Sequence, residues 1–239
     1  MRPQDRLIVA LDVPTSEEAL RLVDELNDLV SFYKVGLELL MAGGMGELLR
    51  AIAPRHKVFV DLKLPNDIPE TVRMVVGLAA DLGVNFLTLS NSATPTTIAA
   101  AIEGRGANRA NPKLLFVPLL SSMDRADFSH QYGRPASDFE SFLEERTVIA
   151  KSAGVEGFIV SGPEIGLLRS KYPATKALLV SPGIRPAGAP KGDHKRTCTP
   201  AEAIGLGADY IVVGRPIRDA PSRKDATKRI IDEIAEAEA

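Results

Sequence analysis

The chain has 239 residues, of which 45% are hydrophobic and 25% charged, and its formal net charge is -2. This length suits one α/β domain or two small ones, and the near-neutral charge gives no support to a nucleic-acid or acidic-membrane partner, which would favour a basic surface. The single cysteine, Cys198, excludes an intrachain disulfide and fits a reducing compartment, and three scattered histidines define no zinc-like cluster.

The first strand-like run, residues 7–11, follows almost directly on the N-terminus. We therefore expect no signal peptide before it. No apolar run approaches the roughly 20 residues that a membrane-spanning helix needs. These features predict a cytoplasmic protein.

Short apolar runs of strand length alternate with helical patterns along the whole chain. The predicted strands are residues 7–11, 32–36, 57–64, 86–90, 114–120, 157–161, 177–181 and 210–215. The first predicted helix follows a capping box in which Thr15 is the N-cap and Glu18 lies three residues on. Further helices are predicted from strand two through about residue 52, at 72–82, 96–103 and 138–153, from 163, at 201–206, and from 222 onward.

About eight strand–helix alternations over residues 1–239 predict one domain of the α/β class, a single (β/α)8 TIM barrel. A doubly wound open sheet is the alternative, but no GxGxxG opens the first helix, which counts against a Rossmann domain. Residues 104–106, 125–137 and 182–199 are predicted to be connecting segments.

The end of strand three carries two opposite charges close together. Side chains two apart along a strand point the same way, so Asp61 and Lys63 should project together. Pro65 ends this strand, and Pro69 fits the first turn of the next helix. An ion pair that closes a strand end is the ordinary interpretation of such a pattern.

Further charges at neighbouring strand ends favour an active site instead. Asp12 follows strand one, Lys34 lies near the end of strand two, and Asp67 comes just after strand three. The C-terminal strand ends of a (β/α)8 barrel form its active site, so these charges should converge there with Asp61 and Lys63. Buried charges are costly unless paired, so we expect them to alternate in sign and to hold a lysine charged beside a reacting atom.

The ends of strands seven and eight have the features of an anion site. The Gly214 amide can approach a ligand closely, and Arg215 can contact a phosphate with two hydrogen bonds. The loop of residues 182–199 is long, basic and rich in glycine, and it could close over a phosphate as a lid. A plain turn with a surface arginine and a solvated loop is the alternative, but it does not explain the length of the loop.

Together these motifs resemble the orotidine 5′-phosphate decarboxylases, the family that completes de novo UMP synthesis. The resemblance covers essentially the whole chain, in order. The D-x-K element alone also occurs in hexulose-phosphate synthases and ketogulonate-phosphate decarboxylases, whereas SPGIRP paired with GRPI is more specific. The motifs are Leu11-Asp12, Lys34-Val35-Gly36, Asp61-Leu62-Lys63, Asp67-Ile68-Pro69-Glu70-Thr71, Ser181-Pro182-Gly183-Ile184-Arg185-Pro186 and Gly214-Arg215-Pro216-Ile217.

The resemblance also implies a role for each site residue, with orotidine 5′-monophosphate as substrate, UMP as product and no cofactor or metal. Lys63 is expected to be the proton donor beside Asp61, and Lys34 and Asp67 to complete the charge network. Asp67 and Thr71 are expected to come from the second subunit of a homodimer. The implied substrate-binding residues are Asp12 and Thr71 at the ribose, Lys34, Ser121 or Ser122 at the base, His194 in the lid, and Arg185, Gly214 and Arg215 at the phosphate.

Three positions depart from the family pattern. Three residues, Leu64, Pro65 and Asn66, separate Lys63 from Asp67 where the family usually has two. His194 stands where the lid normally carries a glutamine, and a histidine cannot supply both functions of an amide at once. Ser90 replaces a histidine that is usual at the end of strand four.

The resemblance implies loss of CO₂ from carbon 6 of the pyrimidine, with electrostatic stabilisation of the carbanion by a lysine that then protonates it. Two alternatives remain from other classes. One is a metal-dependent decarboxylase, aldolase or epimerase acting on a sugar phosphate. The other is a catalytically silent barrel that binds phosphoribosyl nucleotides.

Overall fold

Eight parallel strands close into a barrel in the order of the chain, β1 to β8, in a computed structural model that describes residues 1–107, 109–174, 176–187 and 195–238. Strand β8 pairs with β1, so neither strand is an edge. This closure confirms the predicted barrel and excludes the open-sheet alternative. The strands are β1 (Leu7–Ala10), β2 (Phe32–Gly36), β3 (Lys57–Leu64), β4 (Phe86–Ser90), β5 (Lys113–Val117), β6 (Gly157–Ile159), β7 (Leu178–Ser181) and β8 (Tyr210–Val213).

Helices surround this barrel and connect each strand to the next. They are α1 (Ser16–Leu26), α2 (Leu37–Met41), α3 (Met45–Ile52), α4 (Pro69–Asp81), α5 (Pro95–Arg105), α6 (Arg125–Tyr132), α7 (Phe139–Ser152), α8 (Gly162–Lys171), α9 (Pro200–Gly205), α10 (Arg215–Arg218) and α11 (Arg223–Glu236). As predicted, Thr15 caps α1 by accepting a hydrogen bond from the Glu18 amide, and Pro69 lies in the first turn of α4. None of the helices described is long and apolar enough to cross a membrane.

Alternate residues of each strand face either the surrounding helices or the barrel interior, as the two-residue period of a strand requires. The interior is filled by a separate apolar cluster whose aromatic rings meet edge to face, at centroid distances between 5.0 and 6.0 Å. These rings belong to Phe32, Phe59, Phe86 and Tyr210. The residues two positions further along β2, β3 and β4 therefore lie at the C-terminal mouth, above a closed apolar floor.

The predicted helix that runs from strand two to residue 52 is wrong in one respect, because it is two helices. Gly43 and Gly44 separate α2 from α3 with φ angles of +82° and +71°. Glycine adopts this left-handed conformation without steric cost, so the chain can turn sharply there. Apolar residues recur at helical spacing on both sides of these glycines, so the sequence pattern did not reveal the break.

The prediction of a connecting segment at residues 125–137 is also wrong, because these residues contain a helix, α6. Its N-cap is Asp124, whose carboxylate accepts hydrogen bonds from the Ala126 and Asp127 amides, while Asp127 reaches back to the Asp124 amide. This reciprocal arrangement satisfies donors that a helix start leaves unpaired. Only Phe128 of α6 is buried, so the apolar period that announces a helix is missing.

The prediction of a loop at residues 104–106 is also wrong, since Gly104 and Arg105 belong to the last turn of α5. Gly106 ends this helix with a φ of +88°. A β-carbon on Gly104 would overlap the Arg73 carbonyl oxygen and lie 2.9 Å from the Arg73 α-carbon. Gly104 is therefore a packing residue that lets α5 approach α4 closely.

Candidate active site

A cavity of about 530 Å³ opens at the C-terminal ends of the strands, within the size range of small-molecule sites. Its walls include residues of β1, β2 and β3 and of the loops after β5, β7 and β8. The barrel thus brings together eight of the predicted site residues. They are Asp12, Lys34, Asp61, Lys63, Ser121, Arg185, Gly214 and Arg215.

Four of these side chains form a row of alternating charge. The Lys34 Nζ atom lies 2.9 Å from Asp12 Oδ1 and 3.9 Å from Asp61 Oδ2, and Lys63 Nζ lies 2.9 Å from the same Asp61 oxygen. The side chains of Lys34 and Asp61 are only 11% and 16% exposed. Each charge is compensated by its neighbours, as burial requires. Among the described residues, no group of three or more His, Cys, Asp or Glu side chains could hold a metal ion.

The glycine of the Lys34-Val35-Gly36 motif makes room for this row. A β-carbon on Gly36 would lie 3.3 Å from Lys34 Nζ and 3.6 Å from Asp12 Oδ1. Because that ammonium is held by two carboxylates, it has little freedom to move aside. Gly36 therefore leaves the space that the Lys34–Asp12 ion pair occupies.

Two residues at the site were missed from the sequence. Thr88 of β4 is fully buried, and its hydroxyl lies 2.9 Å from Asp61 Oδ1. The sequence could have placed Thr88 at the mouth of the barrel, because it lies two residues after the interior-facing Phe86. An uncharged threonine, however, gives no signal of a catalytic site. Arg218, the last residue of α10, also lines the cavity and donates from Nη1 to the Asp12 carbonyl at 2.5 Å.

The predicted anion-binding residues line the same cavity. Arg185 is buried, and its Nη1 donates to the Ile184 carbonyl at 2.7 Å. Gly214 packs against the end of β1 and beside the charge row, since a β-carbon there would lie 3.5 Å from Ala10 Cβ and 3.6 Å from Asp12 Oδ2. Arg185 and Arg215 both line the cavity, as does Arg218. Guanidinium groups suit phosphate because their donors match its geometry.

The described end of the loop after β7 is attached to the loop after β5. Lys195 Nζ lies 2.8 Å from Asp124 Oδ2 and 2.7 Å from Asp127 Oδ2. The hydrogen bond from Lys195 is the main reason that the pKa of Asp124 falls to about 2. Arg196 donates to the Leu120 carbonyl at 2.6 Å and pairs with the buried Glu164 at 2.7 Å. Residues near the C-terminal end of the predicted lid thus contact the segment beside Ser121.

Two of the predicted site residues, Asp67 and Thr71, are not among the described residues that line the cavity. Asp67 and Thr71 are exposed, and Asp67 Oδ1 accepts a hydrogen bond from the Ile68 amide at 2.6 Å. His194 lies outside the described residues, so the structure does not bear on its predicted role. Asn66 is one of the three residues that separate Lys63 from Asp67. Its side-chain oxygen accepts hydrogen bonds from Thr94 Oγ1 at 3.2 Å and from the Thr97 hydroxyl.

Ser90, the third departure from the family pattern, lies beside a second, smaller cavity of about 160 Å³ next to Lys63. Its hydroxyl lies 2.6 Å from that of Ser92. The amide of Asn91 donates to the Tyr132 hydroxyl across the same space. A serine is smaller than a histidine, and the space beside Lys63 is partly open.

Comparisons with known proteins identify the family of this chain. The sequence model of the Orotidine 5′-phosphate decarboxylase / HUMPS family matches residues 5–230. An orotidine 5′-phosphate decarboxylase from Rhodopseudomonas palustris (strain ATCC BAA-98 / CGA009) is 45% identical over 237 residues, which are 98% of this chain and 95% of that protein. One from Methylobacterium sp. (strain 4-46) is 42% identical over 239 residues, covering 99% and 98% of the two chains.

Solved structures give the same result. The crystal structure of orotidine 5′-phosphate decarboxylase from Lactobacillus acidophilus superposes with a TM-score of 0.80 at 33% identity, over 96% of this chain and 99% of that one. The enzyme of that name from Pyrococcus horikoshii OT3 gives a TM-score of 0.74 at 26% identity, over 96% and 99%. The chain therefore belongs to the orotidine 5′-phosphate decarboxylase / HUMPS family.

Proposed function

We propose that this protein converts orotidine 5′-monophosphate to UMP and CO₂, a step of pyrimidine biosynthesis, without a cofactor. The observation that carries the proposal is the row Asp12, Lys34, Asp61 and Lys63, which lines the same cavity as Arg185 and Arg215. The row suits a reacting ring, and the arginines suit a phosphate at the far end of the same molecule. The names of the relatives support this choice of substrate.

In the proposed reaction, Lys63 supplies the proton that replaces CO₂. The bond between carbon 6 and the carboxylate carbon breaks, and its electron pair stays on carbon 6. No ring orbital accepts that pair, so a nearby positive charge must stabilise it. The Lys63 ammonium then transfers a proton to carbon 6 and is left as a neutral amine, which solvent protonates again before the next turnover.

The other members of the row hold Lys63 in place. Asp61 accepts a hydrogen bond from Lys63 Nζ, which orients the ammonium. Lys34 joins Asp61 to Asp12, so that neither carboxylate is left without a cation. Asp12 and Lys34 then offer a carboxylate and an ammonium to the ribose hydroxyls. Such preorganised charges are already in position when the transition state forms.

The phosphate would bind between Arg185, Gly214 and Arg215, with Ser121 at the base. This contact is remote from carbon 6, so its binding energy can contribute to holding the ring against the charge row. The attachment of Lys195 to Asp124 brings the end of the loop after β7 next to the segment that carries Ser121. This attachment favours a substrate enclosed from both sides.

We expect a homodimer in which Asp67 and Thr71 complete the site of the partner subunit. One face of α4 supports this, since Thr71, Met74 and Leu78 recur at helical spacing and are all exposed. Ile68, just before the helix, is 67% exposed. A contiguous apolar surface of this kind marks an interaction site, and a second copy would place Asp67 against a neighbouring cavity.

One assay tests the reaction against both alternatives. Purified protein is mixed with orotidine 5′-monophosphate, with and without EDTA, and the fall in substrate absorbance and the UMP formed are measured. We expect equal turnover in both samples. Turnover that EDTA abolishes would favour the metal-dependent alternative. Binding of the nucleotide by calorimetry with no change in absorbance would favour the silent binder.

A further inference from the structure

Thr88 lies opposite the whole Asp61-Leu62-Lys63 triplet. Strands β3 and β4 pair regularly at Val60 with Leu87, and pairing resumes at Leu64 with Leu89. Between these pairs, β3 contributes the three residues of the triplet and β4 contributes only Thr88. The ladder is therefore interrupted where the two reactive side chains lie, as in a β-bulge, which re-aims side chains next to active sites.

The Thr88 hydroxyl contacts both ends of this bulge. Its Oγ1 atom lies 2.8 Å from the Lys63 amide nitrogen and 2.9 Å from Asp61 Oδ1. The Lys63 amide can only donate, so the hydroxyl oxygen accepts that bond. The single hydroxyl proton is then directed to the Asp61 carboxylate, which as an ionised group can only accept.

These two bonds fix groups that the bulge would otherwise leave loose. Lys63 has a φ of +48°, a left-handed conformation that is strained for a residue with a β-carbon, and its amide lacks a ladder partner. The Thr88 oxygen replaces that partner. Asp61 Oδ1 is held by Thr88 and Oδ2 by Lys63 Nζ, so rotation of the carboxylate is constrained from both sides.

We propose that Thr88 is a positioning residue for the decarboxylation: its hydroxyl bridges the Lys63 backbone and the Asp61 carboxylate, and so fixes the Lys63 ammonium relative to carbon 6. This inference rests on the proposed function. Thr88 does not line the cavity and acts through Asp61 and Lys63. Small displacements of such groups have large effects on rate.

A purely structural role predicts a different outcome. A buried threonine that only satisfies a backbone amide would affect stability, and kcat per folded molecule would stay the same. A positioning role predicts a lower kcat and a nearly constant KM, with kcat retained when serine keeps the hydroxyl.

The test compares Thr88→Val, which keeps the shape and removes the hydroxyl, with Thr88→Ser, which keeps the hydroxyl. Loss of a hydrogen bond to a charged group predicts that Thr88→Val lowers kcat about 10- to 100-fold with KM changed by less than about threefold. Thr88→Ser should retain kcat within about threefold of wild type. Thr227→Val is the matched control, because Thr227 is equally buried and its hydroxyl bonds only a helix carbonyl, that of Arg223.

Calorimetry with UMP and thermal unfolding establish that each variant is folded at the assay temperature. If Thr88→Val does not fold, Thr88→Cys replaces it, since a thiol is a weak donor and acceptor, and its kcat should lie well below that of Thr88→Ser. Wild-type kcat in Thr88→Val overturns the inference. Equal losses in Thr88→Ser and Thr88→Val also overturn it.

A measurement that needs no turnover separates this inference from the proposed function. The Lys63 amide should exchange its hydrogen faster in Thr88→Val than in the wild type and Thr227→Val, because its acceptor has been removed. Inactivity of the wild type on orotidine 5′-monophosphate would refute the proposed function alone. An unchanged Lys63 exchange rate would refute the bridge, whatever the enzyme does.

Discussion

The Lys63 Nζ atom lies 2.9 Å from Asp61 Oδ2, and the two residues are only two apart in sequence. Lys63 has a left-handed backbone conformation with a φ of +48°. A regular strand would direct both side chains the same way but would not bend one toward the other. The left-handed conformation at Lys63 draws its ammonium onto the carboxylate. Local strain at this position is thus associated with the charge pair on which the proposed chemistry depends.

We predict that Lys63→Ala abolishes UMP formation and leaves the fold intact. The side chain is 35% exposed, so its removal opens no buried cavity, and Lys34 remains to compensate Asp61. Loss of a general acid costs about 100- to 10,000-fold in rate. Turnover is measured with orotidine 5′-monophosphate, and circular dichroism follows the fold. Lys224→Ala, an exposed lysine of α11, is the control, and normal turnover in Lys63→Ala would refute the role.

Arg215→Ala should weaken phosphate binding and raise KM about 30- to 100-fold, because a bidentate, charge-assisted contact is lost. The charge row is untouched, so kcat should change less. Steady-state kinetics measure both constants. Arg229→Ala removes an exposed arginine of α11 and should leave KM unchanged. An unaltered KM in Arg215→Ala would place the phosphate elsewhere.

Mixed dimers test whether Asp67 acts across the interface. A mixture of Lys63→Ala and Asp67→Ala subunits forms heterodimers in which one of two sites has both Lys63 and Asp67, so activity should recover to about a quarter of wild type on random pairing. A mixture of Lys63→Ala with Asp61→Ala is the control and should stay inactive, because Asp61 and Lys63 belong to one chain. No recovery in the first mixture means that Asp67 serves its own subunit or none.

Gly104→Ala should destabilise the protein although alanine is the better helix former. Its β-carbon would overlap the backbone of Arg73 on α4, and such overpacking costs about 1–3 kcal/mol. Gly166→Ala in α8 is the matched control, since its β-carbon would meet only Leu206 at an ordinary 3.5 Å. That variant should gain up to about 1 kcal/mol from helix propensity. Urea unfolding of both variants would show opposite signs, and equal free energies of unfolding would contradict the packing role of Gly104.

His56 should make stability depend on pH in the weakly acidic range. Burial and then the charge of Arg55 lower the pKa of His56 below its usual 6.5, and Asp24 opposes them only in part. The unfolded chain therefore binds the proton more readily, so stability is full above about pH 6.5 and is lost as pH falls toward the folded-state pKa.

His56→Phe would remove this dependence while keeping a ring against Tyr33, whose ring centroid lies 5.1 Å away. Urea unfolding of wild type and variant at several pH values between 5 and 8 gives the difference in free energy. His130→Phe, at an exposed position, controls for the loss of a histidine. Parallel stability curves for wild type and His56→Phe would contradict the prediction.

The sequence determined the barrel and most of its mouth. Strand runs and caps are local properties, and the two-residue period that buries Phe32 and Phe59 also places Lys34 and Asp61 at the same end of neighbouring strands. Arg215 was predicted from its place after strand eight, whereas motif resemblance added the role of Arg185 and the substrate. The names of the relatives agree with the substrate. Local signals failed where they were weak or ambiguous, as at α6, in which only Phe128 is buried, and at Gly104, a helical glycine that resembles a turn.

Tertiary structure decided the relationships between distant segments. That three residues of β3 face Thr88 alone depends on how two strands 25 residues apart are aligned, and no local pattern encodes a bulge of that kind. The attachment of Lys195 to Asp124 likewise joins residues 71 apart in sequence. Periodicity fixes which way a side chain points, but only the packing of the whole chain fixes which partner it meets.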